Sequence, residues 1–490
     1  MKRSELHPPA AQAMGEDSSR MVTFHIDTEL SALHLKDLVK FIYHNYLLPN
    51  REFFKWIRRP SLERTPSITF RAATREEKWH VDVEILAQKP ILIKIEPSGE
   101  DVPSDVLDRL REDLVINVEL FEERVRRTTL YLAYVKGQQI HPETAPSAAK
   151  KEVERLFTGN MLFMYILMIG LSIVIFSLLG VYAPIVIIVF QLLFILLSDK
   201  IIMRLGEWTI DENNPSVHLV QYHIPSEEYR QFQAKYGRNL ILEMKKEIYE
   251  KTLATGVEPT CDVAQEVFRK FGMDCDPNQM SIKQVNLYEL VKKAATRFAI
   301  PMPRVIVANS MIPNAAATGP APSRGVLLVT TGLIVQLEDD EIFSVIGHEL
   351  GHLKGRDPMI LFTLMASEYL LRAYVLWPFV FFSPLLYLMI AMTLVYFVAK
   401  FFEARADLQS AIRIGKPDVL AEALEKIGFH RLQFERIPLY RIQSWLNWDP
   451  HPPIYFRISR LQKLTDPSHV KHPLIQSAKD VVNGFRAALH

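Results

Sequence analysis

Two long apolar stretches constrain the fold of this chain more than any other feature of its sequence. They run from Gly159 to Ser198 and from Met359 to Ala399. A helix needs about 20 apolar residues to cross a bilayer, and each stretch is roughly twice that length. Each stretch therefore predicts two transmembrane helices joined by a turn. For the first stretch, the alternative is a helix pair buried in a soluble core, but such helices seldom lack charges over about 40 residues.

Helix-breaking residues lie near the middle of both stretches. Gly180 and Pro184 indicate a turn in the first stretch, and Pro378 and Pro384 indicate one in the second. Glycine and proline at these places interrupt an apolar helix, because they favour turns over helix interiors. The prediction is two helical hairpins, which gives a multi-pass protein of the cell membrane with about four spans.

Basic residues flank both hairpins, whereas the two turns carry no charge. The flanking residues are Lys150, Lys151, Arg155, Lys200, Arg204, Lys354, Arg356, Lys400 and Arg405. Because cytoplasmic segments of membrane proteins are rich in Lys and Arg, all the flanks are expected on the cytoplasmic side. The N-terminus, the soluble domains and the C-terminus are therefore expected to be cytoplasmic.

One pair of charged residues interrupts the third predicted span. Glu368 and Arg372 are spaced as i and i+4, so they can pair on one helix face. Charges within a membrane are costly and normally pair or face the interior of a bundle. We expect a structural ion pair; the alternative is a functional role for Glu368.

The overall composition argues against a nucleic-acid partner. Lys and Arg number 57 against 56 Asp and Glu, so no basic excess indicates a nucleic-acid partner.

The polar residues 1–20 lack the apolar core of a signal peptide and are expected to be disordered. Cys261 and Cys275 are too few for a disulfide framework and form no CxxC pair, so we expect them to be reduced.

The N-terminal region before the first hairpin has the pattern of a small soluble domain. Residues 21–145 combine alternating runs with helical spacing, which predicts an α+β domain of unknown role. The run SDVLDRLREDLVINVELFEERVRRTTLYLAYV, residues 104–135, is expected to form one long helix. The basic-aromatic run REFFKWIRRP, residues 51–60, can contact lipid headgroups or nucleic acid, but we expect a solvated face beside a small core.

The remaining soluble sequence lies between and after the hairpins. Residues 206–282 are polar and predict a helical insert that is a candidate lid over a cleft. Residues 283–357 alternate helix, strand, loop, strand and helix, and residues 401–490 are helical. These two segments are the predicted halves of one catalytic domain, interrupted by the second hairpin at residues 359–400.

A metal-binding pattern lies just before the second hairpin. In the run GHELGHLKG, His348 and His352 are one helical turn apart, so their side chains can bind one zinc ion per chain. Glu349 is offset around the helix and can take a proton from the attacking water. HExxH alone is only moderately specific, but acidic residues before it and Gly355 after it fit the ends of a helix.

The third zinc ligand follows by elimination. Pro358 has no ligating atom, although it stands where the longer metzincin pattern has a histidine. Glu368 lies deep in a predicted span, whereas Glu403 follows the second hairpin on the same side as His352 and is the predicted ligand. Asp407, one turn further in EARAD, is expected to hydrogen-bond a ligand imidazole.

Five motifs in this order resemble those of the HtpX-type integral-membrane zinc metallopeptidases, which are relatives of the CAAX prenyl proteases. They are NAAATG, VLLVTTGL, EIFSVIGHELGHLKGRD, EARAD and HPPIYFRI. The resemblance covers roughly residues 159–464. It implies for His348, Glu349, His352 and Glu403 the same roles that the residue pattern predicts.

The resemblance implies further residues of the site. NAAATG is implied to form an edge strand whose residues pair with the substrate main chain, namely Asn314, Ala315, Ala316, Ala317, Thr318 and Gly319. His451 is implied to donate to the oxyanion, and Arg457 to bind substrate or to support the structure. Ala316 replaces the phenylalanine of the usual NAFATG motif, which alters the side-chain pocket on that strand.

Together these features predict a fold class and a function. The fold is a mainly α membrane protein of two transmembrane hairpins, with a zincin-type α+β catalytic domain and an N-terminal soluble α+β domain. The function is a zinc metalloendopeptidase that cleaves misfolded or membrane polypeptides at the cytoplasmic face of the bilayer, in protein quality control. The alternatives are a protease that processes lipidated peptides, for which about four spans are few, and a catalytically silent scaffold.

Overall fold

The structure, a computed structural model, describes residues 21–63, 65–73, 79–99, 102–140, 161–435, 437–464, 466–467 and 470–489. The chain divides into two compact units, Met1–Val125 and Arg126–His490. The disorder predicted for residues 1–20 lies outside the described residues.

The N-terminal unit is a five-stranded antiparallel sheet with two helices on one face. Its strand order is β1-β5-β4-β3-β2. The elements are β1 Val22–Ile26, α1 Leu35–Ile42, β2 Phe54–Lys55, β3 Ser67–Ala73, β4 Trp79–Leu86, β5 Ile91–Gly99 and α2 Ser104–Arg126. Alternate residues of β4, Val81 and Val83, pack with Leu38 of α1 and Leu114 of α2 in the core.

The basic-aromatic run of this unit, residues 51–60, is largely exposed, as expected for a solvated face. Phe54 is 7% exposed, but Phe53 and Trp56 are 66% and 76% exposed. Only one of the three aromatic side chains therefore packs in the core, and the other two lie at the surface beside arginines.

The long helix expected over residues 104–135 was wrong, because α2 ends at Arg126. Thr129–Val135 is instead strand β6, and all seven of its residues are buried. It pairs with β8, Val217–His223, which in turn pairs with β9, Met280–Val285. An apolar run gives the same pattern in a buried strand as in a buried helix, so periodicity alone could not separate them. The compact unit therefore ends before β6, twenty residues short of the predicted boundary at residue 145.

A four-stranded sheet forms the framework of the second unit. Its order is β11-β12-β10-β7, in which β10 and β12 are parallel and both outer strands are antiparallel. The strands are β7 Trp208–Ile210, β10 Arg304–Ala308, β11 Ala315–Thr318 and β12 Val326–Thr330. The NAAATG motif therefore provides an edge strand, as the resemblance implies.

Besides this sheet and the three-stranded sheet of β6, β8 and β9, the described elements of the second unit are helices. In chain order they are α3 Met161–Leu179, α4 Ala183–Leu196, α5 Ser198–Ile202, α6 Ser226–Lys251, α7 Cys261–Lys270, α8 Leu287–Phe298, α9 Thr331–Gln336, α10 Asp339–Gly355, α11 Asp357–Tyr374, α12 Trp377–Phe382, α13 Pro384–Ile414, α14 Pro417–Glu435, α15 Pro438–Leu446, α16 Ile454–Gln462 and α17 Pro473–Ala488. The HExxH motif lies on α10, and the EARAD motif lies on α13.

The segment from residue 206 to residue 282 is mixed rather than helical. It contains α6 and α7, but β7 joins the four-stranded sheet and β8 joins β6 and β9. The short runs WTI and VHLVQYH form these strands, and the polar residues within and around them obscured them in the sequence. Its action as a lid stays a prediction.

The two cysteines form a disulfide, so the prediction that they are reduced was wrong. Cys261 begins α7, and Cys275 precedes β9, with a Cα–Cα distance of 5.5 Å. A low cysteine count argues against a framework of several disulfides, but it does not exclude a single bridge. Only the fold shows that these two residues meet.

The described part of the first apolar stretch folds as two helices joined by a turn, and the second stretch folds as three successive helices. A short 3-10 turn, Gly180–Tyr182, separates α3 from α4, and α12 separates α11 from α13. By length and composition, two described segments can cross a membrane: Gly170–Leu196 and Pro384–Ile414. The prediction of about four spans stays a prediction.

Polar contacts tie these helices together and to the sheet. In α11 Glu368 lies 3.3 Å from Arg372 and accepts a 2.9 Å hydrogen bond from the Tyr387 hydroxyl, so it lies in a structural pair. Asp199 of α5 is buried and contacts Arg304 at 2.8 Å and Arg324 at 2.7 Å. The end of the first hairpin is thereby held against β10 and the loop before β12.

Candidate metal centre

The HExxH helix α10 has well-defined ends. Glu338 and Glu341 form a capping box at its start, and Asp339 and Asp340 add negative charge to the first turn. The helix ends where Arg356 adopts a left-handed conformation with φ 53°. The bounds agree with the acidic start and the Gly355 end seen in the sequence.

Two glycines let α10 approach α13 closely. A Cβ atom on Gly347 would lie 2.5 Å from Cγ1 of Ile414, and one on Gly351 would lie 3.2 Å from Cα of Ala406. No larger residue fits at Gly347 without displacing Ile414. This close approach brings the histidines of α10 to the carboxylates of α13.

The predicted ligands converge on one point. His348 Nε2 lies 3.2 Å from His352 Nε2 and 3.5 Å from Glu403 Oε2, and His352 Nε2 lies 3.3 Å from Glu403 Oε1. Atoms bound tetrahedrally to zinc at about 2.05 Å lie about 3.3 Å apart. The three donors therefore have the spacing that a zinc ion requires.

Unsatisfied polar atoms support the same interpretation. Glu403 Oε2 is buried and has no hydrogen-bond partner among the residues that the structure describes. A buried carboxylate oxygen without a donor is costly unless a cation binds it. His348, His352 and Glu403 thus fit a divalent metal in spacing, in chemistry and in unmet bonding capacity.

A carboxylate behind each imidazole fixes its orientation. Asp407 Oδ1 lies 2.8 Å from His348 Nδ1, and Asp357 Oδ2 lies 2.8 Å from His352 Nδ1. Since an ionised carboxylate only accepts hydrogen bonds, Nδ1 of His352 carries a proton and its Nε2 is left for the metal. The charge of Asp407, 2.8 Å from Nδ1 of His348, favours the same arrangement there.

Sequence analysis predicted Asp407 but missed Asp357. The left-handed break at Arg356 turns the chain back, so that Asp357 reaches His352 Nδ1 although it follows the HExxH helix. The run GRDP directly after that helix was the available signal. Arg405 of α13 binds the other oxygen of Asp357.

These carboxylates raise the pKa values of both histidines. Burial lowers the pKa of His348, but Asp407 and Glu403 outweigh burial and raise it to about 10. Burial also opposes the charged form of His352, and Glu403 and Asp357 raise its pKa. In the absence of a metal ion, these carboxylates therefore favour a positive charge on the two imidazoles, at the position where a bound cation would lie.

Arg457 lies behind the ligands. It is 6% exposed, and its guanidinium donates two hydrogen bonds, of 2.8 and 2.7 Å, to Asp407. Its Nη1 lies 4.0 Å from Glu403 Oε2. Of the two implied roles, this placement favours structural support over substrate binding, because Asp407 takes its hydrogen bonds inside the protein.

His451 lies on the accessible side of the ligands. Its side chain is 45% exposed, and its Nε2 lies 3.7 Å from Glu403 Oε2. Its Nδ1 lies 2.8 Å from Oδ1 of Asp449, which sequence analysis missed. Burial raises the pKa of Asp449, but hydrogen bonds from His451 outweigh burial and lower it to about 2. Buried Lys400 supports the same loop by donating to the Asn447 carbonyl at 3.2 Å.

The edge strand β11 lies beside Glu349. The Ala317 N–H donates a 2.8 Å hydrogen bond to Glu349 Oε2. Asn314 faces β12, since its carbonyl accepts from the Thr330 N–H at 3.0 Å. Ala315, Ala316 and Thr318 lie in the same strand, and Ala316 is exposed. Gly319 follows it with φ 150°, where a Cβ atom would lie 2.6 Å from the Arg324 carbonyl oxygen.

Comparisons with known proteins point to one family. Residues 281–465 match the model of peptidase family M48. The chain is 30% identical over 213 residues to the protease HtpX homolog of Desulforapulum autotrophicum, which is 37% of this chain and 69% of that protein. It is 31% identical over 210 residues to that of Thermodesulfovibrio yellowstonii, which is 36% and 74% of the two chains. It is 34% identical over 213 residues to that of Thermococcus kodakarensis, which is 37% and 73%.

Proposed function

The chain belongs to peptidase family M48 and is an HtpX-type metalloprotease, and from this premise we propose that it is a zinc-dependent endopeptidase of the membrane surface. The convergence of His348, His352 and Glu403, whose ligand atoms all lie within 4.8 Å of one another, carries the proposal. When bound there, zinc supplies Lewis-acid activation of the attacking water and of the scissile carbonyl.

Glu349 and His451 act on the reacting atoms in this proposal. Glu349 takes a proton from the attacking water and passes it to the leaving amine. His451 donates from Nε2 to the oxyanion that develops on the carbonyl. Asp449 already accepts from Nδ1 at 2.8 Å, so His451 has a proton on Nε2 only as an imidazolium.

The proposed substrates are unfolded or misfolded polypeptides, including membrane proteins. The edge strand β11 offers unpaired backbone groups, and an added strand must be extended to pair with them. Folded proteins seldom present such a segment, so the geometry selects for unfolded chain.

The proposed location is the membrane surface on the cytoplasmic side. Helix α13 runs from Pro384 to Ile414 without interruption, so one helix carries both a candidate span and Glu403. The catalytic site therefore lies close to the point where the chain leaves the apolar region. The basic flanks of the hairpins favour the cytoplasmic side.

Glu349→Gln tests the proposed chemistry directly. The full chain in phospholipid nanodiscs is loaded with zinc and incubated with an unfolded casein substrate. We expect wild-type protein to cleave it and Glu349→Gln to be inactive with zinc retained, because Gln has no basic carboxylate. Retained cleavage by Glu349→Gln would contradict the proposed chemistry. Parallel assays on peptides with and without a prenyl group separate this function from the processing of lipidated peptides.

A further inference from the structure

The two sides of strand β11 have different partners. The register pairs Ala316 with Leu328 and Ala317 with Leu327 of β12, and the Thr330 N–H donates to the Asn314 carbonyl. Backbone groups of an antiparallel strand alternate between the neighbouring strand and the open side. The N–H groups of Ala315 and Ala317 therefore face away from β12.

The two outward amides are not equivalent. The Ala317 N–H donates to Glu349 Oε2 at 2.8 Å, across the gap between β11 and α10. Glu349 is half-buried, on the turn of α10 between the two histidine ligands. A hydrogen bond from an amide to an ionised carboxylate is shorter and stronger than one between neutral groups. One oxygen of the carboxylate is thus held by the main chain of the edge strand.

We infer that the backbone amide of Ala317 positions the carboxylate of Glu349 for proton transfer, so that Ala317 is a positioning residue and its N–H is not offered to the substrate. The inference rests on the proposed function of Glu349 as the base. The two outward amides of the NAAATG strand then have different roles. The Ala315 N–H can pair with an added strand, whereas the Ala317 N–H hydrogen-bonds the carboxylate of Glu349.

This role belongs to the main chain, which has consequences for mutagenesis. Any side chain except proline leaves an N–H at residue 317, so side-chain substitutions there do not test the contact. Replacement of Ala317 by its α-hydroxy acid does, because the resulting ester has an oxygen in place of the N–H and keeps the methyl group. Cell-free translation of the full chain into nanodiscs permits this replacement.

The ester at residue 317 is compared with esters at residues 315 and 316. Zinc loading and inactivity of Glu349→Gln are established first, so that failure of the proposed function is recognised separately. We expect the ester at 317 to lower kcat by on the order of tenfold to a hundredfold with KM changed by less than about twofold. The ester at 315 should raise KM with kcat nearly unchanged, and the ester at 316 should lower stability by removing a bond to β12.

Hydrogen exchange provides a measurement that is independent of catalysis. In the zinc-loaded protein without substrate, the Ala317 amide should exchange more slowly than the Ala315 amide. Glu349 accepts from the Ala317 N–H, whereas the outward Ala315 N–H has no partner among the residues that the structure describes. Glu349→Ala should remove the protection of Ala317 and leave that of Ala316 unchanged.

Three results would overturn the inference. They are an unchanged kcat for the ester at 317, a lower KM for that ester, or equal exchange of the Ala315 and Ala317 amides. A lower KM would mean that the Ala317–Glu349 hydrogen bond forms only in the free protein and that the substrate must break it in order to bind.

Discussion

At the scale of single residues, Asp407 connects the proposed zinc ligand His348 to the buried cation Arg457. It faces His348 Nδ1 at 2.8 Å and accepts two hydrogen bonds from Arg457. Arg457 thereby fixes the carboxylate, and the carboxylate fixes the imidazole. Partners of metal ligands typically contribute a factor of about 10 to 100 in metal affinity.

Asp407→Asn should therefore weaken zinc binding by about tenfold to a hundredfold. Asparagine keeps the volume but loses the charge that orients His348 and pairs with Arg457. Competition with a zinc chelator measures the affinity, and Asp108→Asn, at an exposed position of α2, is the control. Unchanged affinity in a folded Asp407→Asn protein would contradict this role.

Asp449 makes stability depend on pH. Its pKa is lowered from 3.8 to about 2, since hydrogen bonds from His451 outweigh burial. A carboxyl group whose folded pKa is depressed stabilises the fold above its unfolded pKa and loses that contribution as pH falls through the folded pKa. Asp449→Asn should thus be less stable than wild type at neutral pH, and the difference should vanish between about pH 4 and pH 2.

Denaturant unfolding across this pH range measures the difference between the two proteins. Asp418→Asn, on the exposed start of α14, provides the comparison. A difference that stays constant from pH 7 to pH 2 would show that the charge of Asp449 has no part in stability.

Sequence spacing predicted some of these residues and missed others for physical reasons. His348, Glu349 and His352 follow from helix periodicity, and the structure brings His348 and His352 together with Glu403. Asp357 and Asp449 were missed because they reach the histidines through a left-handed residue and a loop, and neither conformation has a period that a sequence shows.

At the scale of secondary structure, the contact between α10 and α13 determines whether the ligands meet. Each helix provides part of the site, and Gly347 is the position of closest approach. A Cβ atom at this position would lie 2.5 Å from Ile414 Cγ1 and 2.7 Å from Ser410 Oγ. A methyl group there must push the helices apart or displace both side chains.

Gly347→Ala should destabilise the protein by about 1–3 kcal/mol, the usual cost of overpacking a buried contact. It should also weaken zinc binding, since the separation moves Glu403 away from the histidines. Thermal unfolding with and without zinc measures both effects. Gly170→Ala is the matched control, because a Cβ atom on Gly170 has no neighbour within 4 Å. Equal stability of the two variants would contradict the proposed packing.

Helices and strands were predictable where the pattern of residues within one segment was sufficient to determine its conformation. The apolar stretches and the HExxH helix have length, charge and period that only a helix explains. Strand β6 was mistaken for helix because its seven buried residues owe their conformation to pairing with β8. That pairing joins segments on either side of the first hairpin, so no local pattern reports it.

At the scale of the whole molecule, the second hairpin interrupts the catalytic unit without dividing its site. His352 lies before the hairpin and Glu403 after it, and their ligand atoms are 3.3 Å apart. Two of the basic residues that flank this hairpin, Lys400 and Arg405, are buried in contacts within the site. These two residues therefore support the site structurally. They were also among the basic residues from which the cytoplasmic orientation of the flanks was predicted.

Metal content measured together with cleavage tests the central claim most directly. Wild-type protein, Glu349→Gln and Glu403→Ala are purified in nanodiscs, dialysed against equal free zinc and analysed by mass spectrometry of the metal. We predict one zinc per chain and cleavage for wild type, one zinc without cleavage for Glu349→Gln, and loss of both for Glu403→Ala. Glu403→Ala protein that keeps one zinc at wild-type affinity would show that the ligand from beyond the hairpin is not part of the site.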